Sequence, residues 1–285
     1  MYCKFLLLIT FLSVGLLSQA QTSVSKPIKQ TPITIGVADE IKSQVLGENR
    51  TLNIYLPEGY SASDTSRYNV IYLLDGSMGE DFQHIAGLVQ FGSMSWINWV
   101  KPSIVVGIAN VDRKRDFTFP TTVKGDKEKW PTTGGSEKFI TFIEQELKPY
   151  IQQRYRTNGA DMLIGQSLGG LLAAQVLAKK PQLFDSYLII SPSLWWDNGS
   201  LLKATMAISP GNPASSTDIY IGVGKEGLAP TAEPHVMEVD ANILADKIKS
   251  LNNKNINLHF DYLPDQNHAT IMHQAVLNAF KAFSK

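Results

Sequence analysis

The chain is nearly without cysteine. Of its 285 residues only Cys3 carries a thiol, and it stands in an N-terminal segment whose composition marks it for removal. A mature chain lacking it has no disulfide, no thiolate metal site and no cysteine nucleophile. Metal and cofactor signatures are missing as well: there is no His-Glu-x-x-His, no phosphate loop and no dinucleotide glycine pattern. The expected chemistry therefore needs neither a metal nor a cofactor. An excess of one charge is also absent, since 26 basic side chains balance 26 acidic ones. That balance argues against nucleic acid or another polyanion as partner. No low-complexity tract or internal repeat occurs, and nothing in the sequence specifies an oligomeric state.

Long apolar runs are equally scarce. The exception is Phe5 to Leu17, which follows Lys4 and precedes Ser18-Gln19-Ala20. Small residues at the two positions a signal peptidase reads predict a secretory signal peptide over 1–20, cleaved after Ala20. The run is short for a membrane span, so no stable membrane insertion is expected after cleavage; an uncleaved anchor is the competing reading. The predicted location is periplasmic or secreted. Residues 21–40, polar with Pro27 and Pro32, read as a linker. Residues 41–285 are long enough to bury the core of one large domain without disulfides.

Strand and helix signals alternate along that domain. Leu52, Ile54 and Leu56 alternate with polar neighbours up to Pro57, as in a half-buried strand. Val70–Leu74 and Ile104–Ile108 are continuous apolar runs, as buried parallel strands are. Phe139, Ile143, Leu147 and Ile151 fall at helical spacing behind Ser136, a candidate N-cap. Short strands follow at Met162–Ile164, Tyr187–Ile190, Ile219–Val223 and Leu258–Leu263. Helices are expected through Ile243, Ala245 and Leu251 and through Val276, Ala279 and Phe283. This order predicts a single α/β domain with one doubly wound, mostly parallel central sheet flanked by helices.

The most informative segment is Gly165-Gln166-Ser167-Leu168-Gly169-Gly170, between a strand and a helix. A serine there, with glycine two places to either side, has the pattern of a nucleophile elbow. The turn is tight, so a side chain at either flanking glycine is expected to strike neighbouring backbone. An ordinary Gly-rich βα turn gives the same pattern. A serine nucleophile needs a base. Of five histidines, His268 alone lies on the loop after the last strand, where the chain order serine, acid, histidine puts the base. His84, His235, His259 and His273 are less well placed. The acid is expected just past a strand that follows the elbow: Glu226 is the first candidate, then Asp197, then Asp240, and a solvated partner of Lys225 is the bland alternative for Glu226. Two backbone N–H groups for an oxyanion are expected at Leu168 and at Ser77, on the loop after Val70–Leu74.

These stretches resemble the putative-esterase family of the α/β-hydrolases. That family holds esterase D type hydrolases, feruloyl and acetylxylan esterases, mycolyltransferases and enterochelin-type siderophore esterases. The resemblance runs from about Ile41 to the C-terminus. It is carried by Asn49-Arg50-Thr51 leading to Tyr55-Leu56-Pro57-Glu58-Gly59-Tyr60, by Tyr72-Leu73-Leu74-Asp75-Gly76, by Arg113 to Thr118, by the elbow, by Ser191-Pro192-Ser193-Leu194-Trp195-Trp196 and by His268. The Ser-Pro-Ser-Leu-Trp-Trp stretch is most similar to periplasmic siderophore esterases and their relatives. The resemblance implies an α/β-hydrolase fold, a Ser167/His268 pair, oxyanion donors at Leu168 and Ser77, and hydrolysis of a carboxylic ester or thioester.

Arg115, with Arg113 and Lys114, is expected near an anionic substrate; a salt bridge to Asp112 or Asp116 is the alternative. Trp195 and Trp196, with Phe117 and Phe119, are expected either in an aromatic acyl pocket or in the core. The expected activity is that of an exported serine esterase acting on a small-molecule or glycan-linked ester, a siderophore or carbohydrate-linked acyl ester among them. A non-catalytic binding protein of the same fold and an acyltransferase using the same site are the alternatives.

Overall fold

The computed structural model describes residues 27–284 apart from 64, 207, 209–215 and 232. The expected signal peptide and residues 21–26 of the expected linker lie outside the described residues. The chain divides into two units, 1–34 and 35–285; residues 27–34 of the first contain no helix or strand. Among the described residues, no helix is long and apolar enough to cross a membrane.

The second unit opens on an antiparallel pair, β1 (Val37–Lys42) and β2 (Asn49–Tyr55). β1 begins inside the segment read as linker; its sequence, Val-Ala-Asp-Glu-Ile-Lys, is too polar to signal a strand. Then come β3 (Tyr68–Leu73), α1 (Phe82–Ser93), β4 (Ser103–Ile108), the short helices α2 (Arg113–Phe117) and α3 (Lys124–Lys129), and α4 (Ser136–Phe142). A π-helical turn, Ile143–Leu147, joins α4 to α5 (Lys148–Arg154). The elbow lies between β5 (Thr157–Gln166) and α6 (Leu168–Lys179). The chain ends with β6 (Ser186–Ile190), α7 (Trp196–Lys203), β7 (Thr217–Gly224), α8 (Met237–Ser250), β8 (Ile256–Leu263) and α9 (Ile271–Phe283).

The strands form one eight-stranded sheet in the order β1-β2-β4-β3-β5-β6-β7-β8. The β1–β2 and β2–β4 pairs are antiparallel, and every other pair is parallel. Side chains of a strand alternate between faces, and both faces are covered. On one, Val70, Tyr72, Ile104, Val106, Leu163 and Ile219 pack against Phe139, Ile143, Leu147, Leu172, Val176 and Leu244 from the α4–α5 stretch, α6 and α8. On the other, Ile71, Leu73, Val105, Ile164 and Leu188 pack against Phe82, Ile85, Val89, Met272, Val276 and Phe280 of α1 and α9. Ser136 is the first residue of α4 rather than its cap: Gly135 holds the cap position, and the Ser136 hydroxyl is buried without a hydrogen-bond partner.

Two features position the site. From β3 the chain steps outward to β4 and then returns past β3 to β5, so the winding reverses between β3 and β5. The loops leaving the C-terminal ends of these neighbours diverge there and leave a crevice, where ligands bind in open α/β sheets. Second, the loop after β3 is held tightly. Asn53 Nδ2 donates to the Gly76 carbonyl at 2.7 Å, and a Cβ on Gly76 would lie 2.3 Å from Gly107 Cα. Only glycine fits at 76.

Candidate active site

Ser167 sits between β5 and α6 with φ 59° and ψ −120°, a conformation that side-chain-bearing residues seldom adopt. Its N–H donates to Ile190 O at 3.0 Å, and its carbonyl accepts from Leu171 N at 2.9 Å. The crowding around the turn falls differently from the sequence expectation. A Cβ on Gly165 would stand 2.3 Å from Gly169 O, and one on Gly170 would stand 2.8 Å from Ile190 O and 3.0 Å from Pro192 Cα. At Gly169 the nearest atoms are 3.4 Å away, an ordinary contact. The tight helix-to-strand approach is therefore made by Gly170, because β6 and its following loop cross behind that residue.

Three separated residues meet at this turn. His268 Nε2 is 3.0 Å from Ser167 Oγ, and His268 Nδ1 is 2.6 Å from Glu226 Oε2. Glu226 lies just beyond β7 and His268 just beyond β8, adjacent strands in parallel register. The two loops are joined by Lys225 N donating to Gln266 O at 2.8 Å, and Gln166 Nε2 donates to the His268 carbonyl. The imidazole is 46% exposed while the Glu226 carboxylate is only 3% exposed. Burial works to raise the Glu226 carboxyl. Hydrogen bonds from His268 and Ser191, the charge of His268 and the Gly224 N–H outweigh it and hold the carboxyl below its ordinary value.

The other acids and histidines are used elsewhere. Asp197 accepts from Thr121 Oγ1 at 3.0 Å, Thr122 N at 2.6 Å and Thr122 Oγ1 at 2.8 Å, pinning the segment before α3. Asp240 pairs with His235 Nδ1 at 2.9 Å. His84 and His273 face each other across α1 and α9 with ring centroids 4.7 Å apart, and His259 lies within β8.

Around the loop after β3, Asp75 is held at φ 54°. It receives Arg113 Nε at 2.6 Å, Arg113 Nη2 at 2.9 Å and Asn110 Nδ2 at 2.7 Å. Burial opposes the Arg113 charge, but the bonds and charge of Asp75 outweigh it, so the guanidinium stays firmly protonated. Ser77 N–H makes a 3.3 Å contact with Glu80 Oε2. Leu168 N–H is one of the first-turn amides of α6, which have no carbonyl four residues earlier within the helix.

A cavity of about 200 Å³ opens beside the elbow, lined by Ser167, Leu168 and Ser193, by Arg113 and Lys114, and by Trp130, Trp195 and Trp196 among others. Trp195 and Trp196 are thus both largely buried and part of the cavity wall. Arg115 is a correction: it does not line the cavity. Its guanidinium turns back to Glu48, at 2.5 and 3.0 Å, and to Asp116 at 2.8 Å. The reason is helical geometry. Arg113, Lys114 and Arg115 are successive residues of α2, each turned about 100° from the last, so they cannot all face one cavity. Phe117 packs in the core, and neither it nor Phe119 lines the cavity. Trp130 takes the place expected for them, with its ring centroid 6.5 Å from that of Trp195 and 6.1 Å from that of Trp196. Sequence reasoning missed Trp130 and Ser193; for Ser193 the signal was its place in Ser-Pro-Ser-Leu-Trp-Trp. Ser193 Oγ lies 3.4 Å from Ser167 Oγ.

Among known proteins, the chain is 37% identical over 171 residues to the ferri-bacillibactin esterase BesA of Bacillus subtilis, a match covering 55% of this chain and 59% of that one. It is 42% identical over 72 residues to the siderophore enterobactin esterase of Emericella nidulans, covering 24% of each. The chain thus spans about three fifths and one quarter of the lengths of these two relatives. Among solved structures it is similar to an IroE-like serine hydrolase from Shewanella oneidensis, with TM-score 0.73 and 31% identity over 86% of this chain and 79% of that one. The family model described as "Putative esterase" matches residues 43–270, which include the Ser167 turn, Glu226 and His268. The chain belongs to that esterase family.

Proposed function

We propose that this chain is an exported serine esterase that cleaves the ester of an anionic, aromatic acyl group, a siderophore ester being the leading case. The reading rests on one observation above others: the unbroken line from Ser167 Oγ through His268 to Glu226, with steps of 3.0 and 2.6 Å. It is supported by membership of an esterase family and by relatives named for siderophore esters. The cavity beside Ser167 adds the chemistry of the acyl group. Three tryptophans offer flat apolar surface, and Lys114 offers positive charge, Arg113 being already paired with Asp75.

The contacts support the following proton path. Nδ1–H of His268 donates to Glu226, which leaves Nε2 as the acceptor facing Ser167. Nε2 takes the Ser167 proton as Oγ attacks the acyl carbon. The oxyanion is held by Leu168 N–H and by Ser77 N–H, which leaves its long contact with Glu80 to do so. Collapse breaks the ester C–O bond, and Nε2 returns the proton to the departing alcohol. Water, deprotonated by the same nitrogen, then attacks the acyl carbon; the bond to Ser167 Oγ breaks, Nε2 returns the proton to Oγ, and the acid is released.

The test compares the purified protein with Ser167→Ala on p-nitrophenyl butyrate, feruloyl esters and catecholate siderophore esters. The variant is expected to lose about 10⁶-fold in kcat, and wild type to favour the anionic aromatic substrates. Equal activity in both proteins rejects the esterase; indifference to acyl charge and aromaticity rejects the substrate class. Export is tested separately, by sequencing the N-terminus of protein recovered outside the cytoplasm. Gln21 is the expected first residue, and an intact Met1 rejects the cleavage.

A further inference from the structure

Ser191 directly follows β6 and plays no part in the proton path, yet it is tightly held beside it. The residue is fully buried. Its N–H is tied to Gly222 O at 2.7 Å, and its backbone is held at φ 42°, in the left-handed region where glycine is the ordinary occupant. A side chain is kept there at the cost of strain, and its hydroxyl donates to Glu226 Oε1.

The contacts divide the Glu226 carboxylate. Oε1 receives the Ser191 hydroxyl and the Gly224 N–H, the latter at 3.2 Å; Oε2 faces His268 Nδ1 at 2.6 Å. The charged groups around it are His268 and Glu238, whose carboxylate accepts from the Glu226 N–H at 2.9 Å and so fixes the backbone rather than the acid group. A glutamate has three side-chain torsions to lose, more than the aspartate that serves elsewhere. A buried carboxylate also needs its lone pairs satisfied. Without the hydroxyl, Oε1 keeps only one long amide contact, and the group is free to rotate Oε2 off the ring.

We propose that Ser191 is a positioning residue for the esterase site: it anchors one oxygen of Glu226 so that the other meets His268. The inference rests on the esterase reading above. It assigns a task to the first serine of the Ser-Pro-Ser stretch, 24 residues along the chain from the nucleophile.

The experiment measures p-nitrophenyl butyrate hydrolysis from pH 5 to 9 by full-length wild type, Ser191→Ala, Ser191→Gly, Glu226→Ala, Ser191→Ala/Glu226→Ala and Ser167→Ala, with a thermal melt of each. Glycine suits the backbone at 191, so Ser191→Gly removes the hydroxyl without demanding a left-handed alanine and keeps the test valid where the alanine variant fails to fold. Loss of a hydrogen bond to a charged group is expected to lower kcat about 10- to 30-fold with KM little changed. With Oε2 swung off the ring, the imidazolium formed in the reaction loses its nearest counter-charge, so the acid limb of the pH profile moves to lower pH. In the double variant the Ser191 change adds nothing to the loss from Glu226→Ala, because its target is gone. A wild-type rate and profile in Ser191→Gly, or losses that multiply in the double variant, overturn the proposal while a dead Ser167→Ala leaves the esterase reading standing. Full activity in Ser167→Ala overturns both.

Discussion

Glu226 Oε2 stands 2.6 Å from His268 Nδ1, joining the loops after the last two strands of the sheet through a carboxylate that solvent scarcely reaches. The pairing fixes the ring tautomer, so its removal acts on the rate. Glu226→Ala is expected to lower kcat about 10⁴-fold, less than loss of the nucleophile. It also acts on stability, with a definite sign. The folded-state value of Glu226 lies below the ordinary 4.5. Its stabilising contribution is therefore complete above about pH 4.5 and is lost as pH falls from there through the lowered value. Urea melts from pH 3 to 7 check this: Glu226→Gln flattens the acid side of the stability curve, and an unchanged slope contradicts it.

The glycines of the elbow are expected to behave unequally. Gly169→Ala meets only 3.4 Å contacts and gains helix propensity, so stability stays level or rises by up to about 1 kcal/mol. Gly165→Ala and Gly170→Ala drive a methyl into backbone at 2.3 and 2.8 Å and are expected to lose about 2 kcal/mol or more, or fail to fold. Denaturant midpoints separate the three.

Asp197 is expected to matter for the fold rather than the proton path. Its carboxylate holds Thr121 and Thr122, and hydrogen bonds to a charged group are each worth about 1.5–3 kcal/mol. Asp197→Ala should cost at least the worth of one such bond in a urea melt, while kcat falls no more than about 10-fold. A collapse to the Glu226→Ala level would transfer the acid role to Asp197.

The basic residues of α2 divide in the same manner. Lys114 lines the cavity and its ammonium lies 5.3 Å from the Trp130 ring centroid. Lys114→Ala is expected to raise KM for an anionic ester about fivefold, the worth of a partly exposed charge contact, and to leave a neutral ester unaffected. Arg115 sits in the Glu48–Asp116 cluster together with the fully buried Arg50. Arg115→Ala is expected to lower the melting temperature and leave both KM values alone. Steady-state kinetics on paired charged and neutral esters decide between the two.

Much of the candidate site was legible because its residues sit at strand ends. Continuous apolar runs mark the parallel strands, the Gly-x-Ser-x-Gly turn marks Ser167, and the positions just past β7 and β8 lead to Glu226 and His268. What the sequence hid were relationships between distant segments. Trp130 meets Trp195 and Trp196 on a segment whose start, at Thr121 and Thr122, is held by Asp197. The direction of Arg115 depends on Glu48, which lies on the opposite side of β2 and β4 in the chain order. β1 was invisible because an exposed edge strand needs little apolar alternation. The burden on Gly170 rather than Gly169 follows from where β6 passes, which no local pattern records.

Ser167 and Glu226 lie just past interior strands, but His268 hangs from β8, the outermost strand at its end of the sheet, held on one side only by β7. The lock on that margin is Asp261, which gathers Tyr220 Oη at 2.6 Å and Asn278 Nδ2 at 2.8 Å and so clips α9 to the border. Warming or mild chaotrope is therefore expected to draw His268 away from Ser167 while most of the secondary structure is still intact.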